Sequence, residues 1–410
     1  MQETPDSVAP DLPPALPPEL PQPQESGAAP AAPEEPVPAK PLYAFRFTGA
    51  PGEYFRIWIV NLFLTIVTLG LYSPWAKVRK KRYFYAHTWV ADANFEYHGN
   101  PLAIFKGRMV ALVAFMAYSA TGHFYPQFAA VVALLMFTAA PWFIARSMAF
   151  NAFNSSYRNI RFRFQATYVE VLKAIWPIAV FLVLSLFLPV ITPGLQKEIP
   201  VRFWLVIGLQ MVILAATMPY IVGALQRLHV SHSAFGLAPF TFHAKIRSYY
   251  WVYFLAFLQS IPLIFGVFVV LGIVIAVSIG VGPGGPGGAI AAGVLGALGY
   301  LLIAAMLSAY TRSRTGNLMY NNSRIDARVS FVSRLGAWRL AWIYLVNLLA
   351  ISLSLGMAVP WAAVRVQRYR CERLQLEVDA PFDQFAAGVN QVIGATGEEL
   401  GEFMAIDLSL

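Results

Sequence analysis

Four arginines carry the clearest chemical signal in the sequence. Arg79 and Arg82, and again Arg365 and Arg368, stand three residues apart, a spacing that places both guanidinium groups on one helical face. Guanidinium groups grip phosphate and carboxylate oxygens in a two-pronged way, so these residues are candidates for holding an anionic ligand or an anionic lipid headgroup. The same side chains would also serve as anchors, reaching from an apolar helix to the water boundary. Asn61 and Asn347 are amides set inside apolar stretches, fit either to line a polar path or to hydrogen-bond a neighbouring helix. His98 and His243 occupy matched positions, as do His87 and His232. No cysteine or carboxylate completes a ligand set beside them, and no metal site is expected. No Gly-x-Ser-x-Gly or His-Glu-x-x-His string is present, and neither an enzyme nor a cofactor is expected.

The elements that must position these residues are membrane segments. The 410-residue chain is 58% hydrophobic and 12% charged. No Asp, Glu, Lys or Arg occurs in 57–76, 109–145, 174–196, 203–226, 248–311 or 340–364, and about 20 apolar residues suffice to cross a bilayer. Breaks at Thr121–Pro126 and at the Gly/Pro run 282–288 divide the two longest stretches. That makes eight hydrophobic segments. Acids are absent from their interiors, which disfavours a proton-driven mechanism.

Charge is partitioned along the chain. Residues 1–40 hold seven acids and one base, and residues 379–410 hold six acids and no base. The body between them has 29 bases and 8 acids, clustered at the ends of apolar segments as in the cytoplasmic loops of membrane proteins. Nucleic acid is therefore not an expected partner; membrane lipid, anionic in particular, is. Cys371 is the only cysteine. Thirteen of the 29 prolines lie in residues 1–41, which predicts a disordered acidic tail. The domains expected are thus that tail (1–41), a membrane body (42–378) and an acidic C-terminal tail (379–410).

An internal repeat organises the body. Residues 61–83 (NLFLTIVTLGLYSPWAKVRKKRY) and 347–369 (NLLAISLSLGMAVPWAAVRVQRY) match at eleven of 23 positions without a gap, among them Gly70/Gly356, Pro74/Pro360 and Trp75/Trp361. Pro141-Trp142 and Pro219-Tyr220 look like weaker copies. A second motif of aromatics two apart begins at Phe45, Phe95, Phe162, Phe240 and, faintly, Val329, and reads as a short strand with one aromatic face. The unit is then a strand, a hydrophobic portion, a Pro-aromatic break and an Arg-rich helical end. The segments at 57–73 and 343–359 admit two readings. Either both cross, giving eight spans, or both turn back near Leu69-Gly70 and Leu355-Gly356, giving six spans with every basic cluster and both tails on the cytoplasmic side.

The strings Glu53-Tyr-Phe-Arg-Ile-Trp-Ile-Val-Asn-Leu, Thr68-Leu-Gly-Leu-Tyr-Ser-Pro-Trp-Ala-Lys-Val-Arg and Arg82-Tyr-Phe-Tyr resemble the YjgN family of bacterial inner-membrane proteins, also described as a domain of unknown function. The resemblance covers about residues 42–410 and implies an inner-membrane location; it carries no activity, catalytic residue or substrate. The expectation is an all-α polytopic protein of six to eight membrane segments, with short cytoplasmic strands before several of them. Two functions fit it: facilitated movement or binding of a small or amphipathic solute or lipid, and a non-transporting scaffold with a basic cytoplasmic face. A funnel lined by Asn61, Asn347 and the motif arginines would favour the first; a solid apolar core would favour the second.

Overall fold

The computed structural model describes residues 40–186, 201–280 and 286–379, with 381, 382, 385 and 387–389. The Pro-rich tail up to residue 39, most of the uncharged loops near 193–202 and 281–288, and most of the acidic tail lie outside the described residues.

Five units follow one another. In the first, β1 (Leu42–Ala44) and β2 (Arg46–Phe47) lead into α1 (Pro51–Val67), α2 (Ser73–Ala86) and β3 (Thr88–Val90). A tight turn enters the second: β4 (Ala93–Tyr97), α3 (Pro101–Phe124), α4 (Pro126–Phe153) and β5 (Ser155–Tyr157). The third is β6 (Ile160–Phe164), α5 (Tyr168–Leu186), α6 (Val201–Ser231) and β7 (Ser233–Phe235); the fourth is β8 (Ala238–Phe242), α7 (Ile246–Gly280), α8 (Pro286–Asn321) and β9 (Ser323–Ile325). The fifth closes with β10 (Val329–Ser333), α9 (Ala337–Leu353), α10 (Val359–Glu372) and β11 (Leu374–Val378).

All strand pairs are antiparallel, and the eleven strands run in the order β1-β11-β10-β9-β8-β7-β6-β5-β4-β3-β2. Its two ends, β1 and β2, are separated by Phe45 alone, whose N–H bonds to the Leu374 carbonyl at 3.1 Å. The sheet is therefore a closed ring. One hydrogen bond recurs in every unit: the residue after the incoming strand donates to the residue ending the return helix. These are Thr48 to His87, His98 to Asn154, Gln165 to His232, His243 to Asn322 and Arg334 to Arg373, all between 2.8 and 3.0 Å.

Turns occupy one rim of the ring and helix ends the other. Ala91-Asp92 and Arg158-Asn159 have positive φ at both turn residues, the mirror-image turn that matches strand twist. At the other rim every helical hairpin both leaves from and returns to the collar. The helices pack in chain order, with α10 against α1 completing a second ring. Among the described residues, five helical stretches are long and apolar enough to cross a membrane, in α3, α4, α6, α7 and α8.

Two expectations need correction. The fold is mostly helical but not all-α, because the short strands pair: with the neighbouring unit across a tight turn, and within each unit across its whole helical hairpin, a non-local pairing that leaves no local mark in the sequence. And the Pro-aromatic motif breaks the helix only in the first and last units. Pro74 and Pro360 sit in the first turns of α2 and α10, whereas Pro141 and Pro219 lie inside α4 and α6. All four prolines are buried, and each stands twelve residues before its helix end (Ala86, Glu372, Phe153, Ser231). A proline inside a helix leaves the carbonyl four residues back without its donor. In α5, Pro177 leaves the Lys173 carbonyl so, and Tyr220 Oη of α6 donates to it at 2.8 Å.

Candidate functional site

The terminal hairpins turn where the sequence places glycine. Leu69 and Leu355 have φ of 50° and 49°, and Gly70 and Gly356 have φ of 90° and 93°. The Gly70 N–H bonds back to the Thr65 carbonyl and the Gly356 N–H to Ile351, a left-handed helix end that glycine adopts at least cost. The next helix is then started by a hydroxyl: Thr68 Oγ1 accepts from the Tyr72 N–H at 3.0 Å and Ser354 Oγ from Ala358 N–H at 2.8 Å. Leu69 and Leu355 at the tips are 94% and 92% exposed.

At the base of these hairpins, Tyr83 Oη donates to the Ala50 carbonyl and accepts from the Ala50 N–H, both at 2.9 Å. Tyr369 Oη likewise engages both main-chain groups of Gly336, at 2.9 and 3.3 Å. The matched tyrosines thus clamp the first helix to the end of the second.

The four arginines are not brought to one site. Arg79 and Arg82 are exposed on α2 and, with Arg56 on α1, rim a groove of about 470 Å³ floored by Ile57, Val60 and Tyr83. Arg79 lies 5.7 Å from the Tyr72 ring. On α10, Arg365 sits 5.0 Å over Trp361, with its Nη1 buried and without a partner. Arg368 donates to the Gly49 carbonyl at 3.2 Å, tying the last unit to the first. Arg56 was not singled out by spacing, because its partners lie across a helical turn of the chain. The signal for it was its place in the string Glu53-Tyr-Phe-Arg, one arginine on an otherwise apolar helix.

Asn61 and Asn347 line no path. They are 7% and 6% exposed, and Asn347 Nδ2 donates to the Ala362 carbonyl at 3.4 Å. Each Oδ1 is buried without a partner. The matched histidines brace hairpin bases instead of forming a cluster. His232 reaches Glu170 at 3.1 Å and His87 reaches Glu53 at 3.8 Å, each linking the end of a return helix to the first turn of the outgoing one. Lys81 is also structural: it bonds Asn151, lies 4.6 Å from the Tyr97 ring, and burial lowers its ammonium to about 8.

No side chain of α3 is buried, and Val110, Leu112, Val113, Phe115 and Met116 are each at least 44% exposed. At 100° per residue these positions span the whole circumference of the helix. α3 is therefore apolar and exposed around its circumference.

The chain matches the family described as "Bacterial protein of unknown function (DUF898)" over residues 42–403. It is 24% identical over 357 residues to inner membrane protein YjgN of Salmonella typhimurium, covering 81% of this chain and 88% of that protein. It is 31% identical over 143 residues to the YjgN proteins of Escherichia coli O157:H7 and K12, covering 35% of each chain. No solved structure matches. A family match across nearly the whole repeat body, together with five membrane-capable helices, places the chain in the DUF898 family of bacterial proteins of unknown function, as a multi-pass inner-membrane protein.

Proposed function

We propose that this protein binds an anionic amphiphile, a lipid or lipid-like solute, and facilitates its movement, without acting as an enzyme. The observation that carries the reading is the apolar, unburied circumference of α3 together with the groove rimmed by Arg56, Arg79 and Arg82; in this reading the ring of helices is an apolar cup standing on the collar. An acyl chain needs an apolar surface shielded from water, and a phosphate needs cationic groups at the end of it.

The reading includes a topology. The three central hairpins cross, giving six spans, and the terminal hairpins enter and turn back. α1 and α9 have 17 residues each, about 25 Å of helix, and they start at the collar rather than at the membrane surface. The collar lies in the cytoplasm, because the bases that surround it obey the positive-inside bias.

Native mass spectrometry of the purified protein tests the binding. The unmutated chain should carry anionic phospholipid. The Arg56→Gln/Arg79→Gln/Arg82→Gln protein should lose it at an unchanged melting temperature. Replacement by lysine should retain it, since a charge near an anionic leaflet is worth about 1 kcal/mol whichever cation carries it. Full lipid occupancy in the glutamine variant sinks the reading.

A further inference from the structure

We propose that Phe382, Phe385 and Val389, which follow β11, form a plug seated in the bore of the strand ring, closing the collar from its turn-bearing rim. Phe382, Phe385 and Val389 are 4%, 5% and 8% exposed and belong to the cluster that fills the ring. The Phe382 ring lies 6.1 Å from Tyr43 of β1 and 5.7 Å from Tyr157 of β5, edge-on to both. Phe385 lies 6.4 Å from Phe235 of β7. In ring order β7 lies opposite β1, and β5 stands beyond β7 with one strand between them, so residues that touch all three reach them from within the bore.

The seat is built for it. Each unit contributes one inward phenylalanine at the same strand position: Phe45, Phe95, Phe162, Phe240 and Phe331, of which Phe45–Phe95 and Phe240–Phe331 stack at 6.3 Å. The fifth copy is thus Phe331 and not Val329. Arg158, in the β5–β6 turn, holds the Ala91 carbonyl of the neighbouring turn at 2.6 Å and covers the Phe382 ring at 5.3 Å. Tyr43 Oη accepts from the Phe382 N–H at 3.3 Å.

Eight strands make a barrel that its own side chains just fill. β1 and β2 act as one stave, so this ring has ten and is wider. The space left inside the five phenylalanines is taken by a segment that stands outside the repeat. It follows directly on β11, and the Lys40–Asp379 ion pair at its root, 2.7 Å, is half exposed on both sides. Those features describe a detachable stopper, whose withdrawal opens the bore between the cup and the cytoplasmic rim. The gating role rests on the reading of the cup as a route for an amphiphile; the seating of the plug does not.

The test measures access to the bore directly and uses no lipid ligand, so a failed lipid-binding result leaves it intact. Phe95→Cys protein in phosphatidylethanolamine–phosphatidylglycerol nanodiscs is treated with a cationic methanethiosulfonate reagent. The native Cys371 is silent, being buried with its thiol pushed up to about 11. The reaction is repeated with Phe382→Ser/Phe385→Ser added, and with the chain ending at Asp379. Modification at least tenfold faster in whichever variant retains its gel-filtration peak and melting transition is the expected result. An unchanged rate in a folded variant overturns the proposal. Failure of both variants to fold overturns it as well, because a plug that can leave its seat cannot be needed for the ring to form.

Discussion

The two terminal hairpins and the three central ones share a base and part company above it. All five leave the collar and return to it through the same hydrogen bond. In four of the return helices a buried proline stands twelve residues before the end, and in the fourth unit Ala309 takes that place, fully buried. In α4 and α6 the helix continues outward past this proline, whereas α2 and α10 begin there. The terminal hairpins are the common hairpin cut off at the proline level. Having less length over which to pack, they hold themselves by polar means: Tyr83 and Tyr369 clamp their bases, where the central return helices carry Phe150, Leu228 and Leu318. The comparison teaches that the collar is the fixed part of the fold and helix height the variable one.

The comparison is broken most decisively by labelling the tips. A cysteine at Leu69 and one at Tyr125 sit at the tips of a short and a long hairpin. An impermeant maleimide added to intact cells should modify Tyr125→Cys and leave Leu69→Cys untouched, an all-or-none contrast. Equal labelling would make the short hairpin a full crossing. Next in size are the clamps. Tyr83→Phe or Tyr369→Phe strands a main-chain N–H while the carbonyl keeps its helical donor, which costs about 1–3 kcal/mol, and should lower the melting temperature in detergent. Tyr118→Phe, on a central helix, should leave it unchanged.

Glycine sharpens the contrast further. Neither Gly70 nor Gly266 has any atom near an added Cβ, so only backbone conformation separates them. Gly70→Ala and Gly356→Ala, at positive φ, should each cost about 1–2 kcal/mol. Gly266→Ala, inside α7, should be neutral or gain up to about 1 kcal/mol from helix propensity; the same thermal melts decide. The smallest effect belongs to the buried amides. Asn61→Leu removes an unpaired acceptor and should change stability by under about 1 kcal/mol, in either direction. A loss of several kcal/mol would show that Oδ1 has a partner that matters.

Much of this was legible in the residues and some was not. The Gly70-to-Pro74 string showed both the bend and the new helix start, because a left-handed helix end and a proline first turn have strict residue requirements. The strands were visible as aromatics two apart, yet their closure into a ring was not, since β1 meets β11 across the whole body of the chain. The register of the fifth copy slipped by two residues because Val329 resembles an aromatic only in being apolar. Arginine spacing found Arg79 and Arg82 but not Arg56, and it grouped Arg368 with them although that side chain binds the main chain at Gly49. Spacing reports a shared helical face and is blind to what lies opposite.

The seam between β1 and β11 has a consequence for how the molecule is made. The first strand to leave the ribosome is the last to find its partner, since that partner is the final strand of the body. Until then the collar is an open arc with two free edges, each a row of unpaired N–H and C=O groups of the kind that recruits foreign strands. Every helical hairpin must be inserted before the arc can shut, so membrane integration precedes collar assembly. A chain interrupted anywhere short of Leu374 is left with its edges exposed. Its nearest complement is the missing strand of another copy, which makes exchange of β11 between chains the characteristic error of this fold.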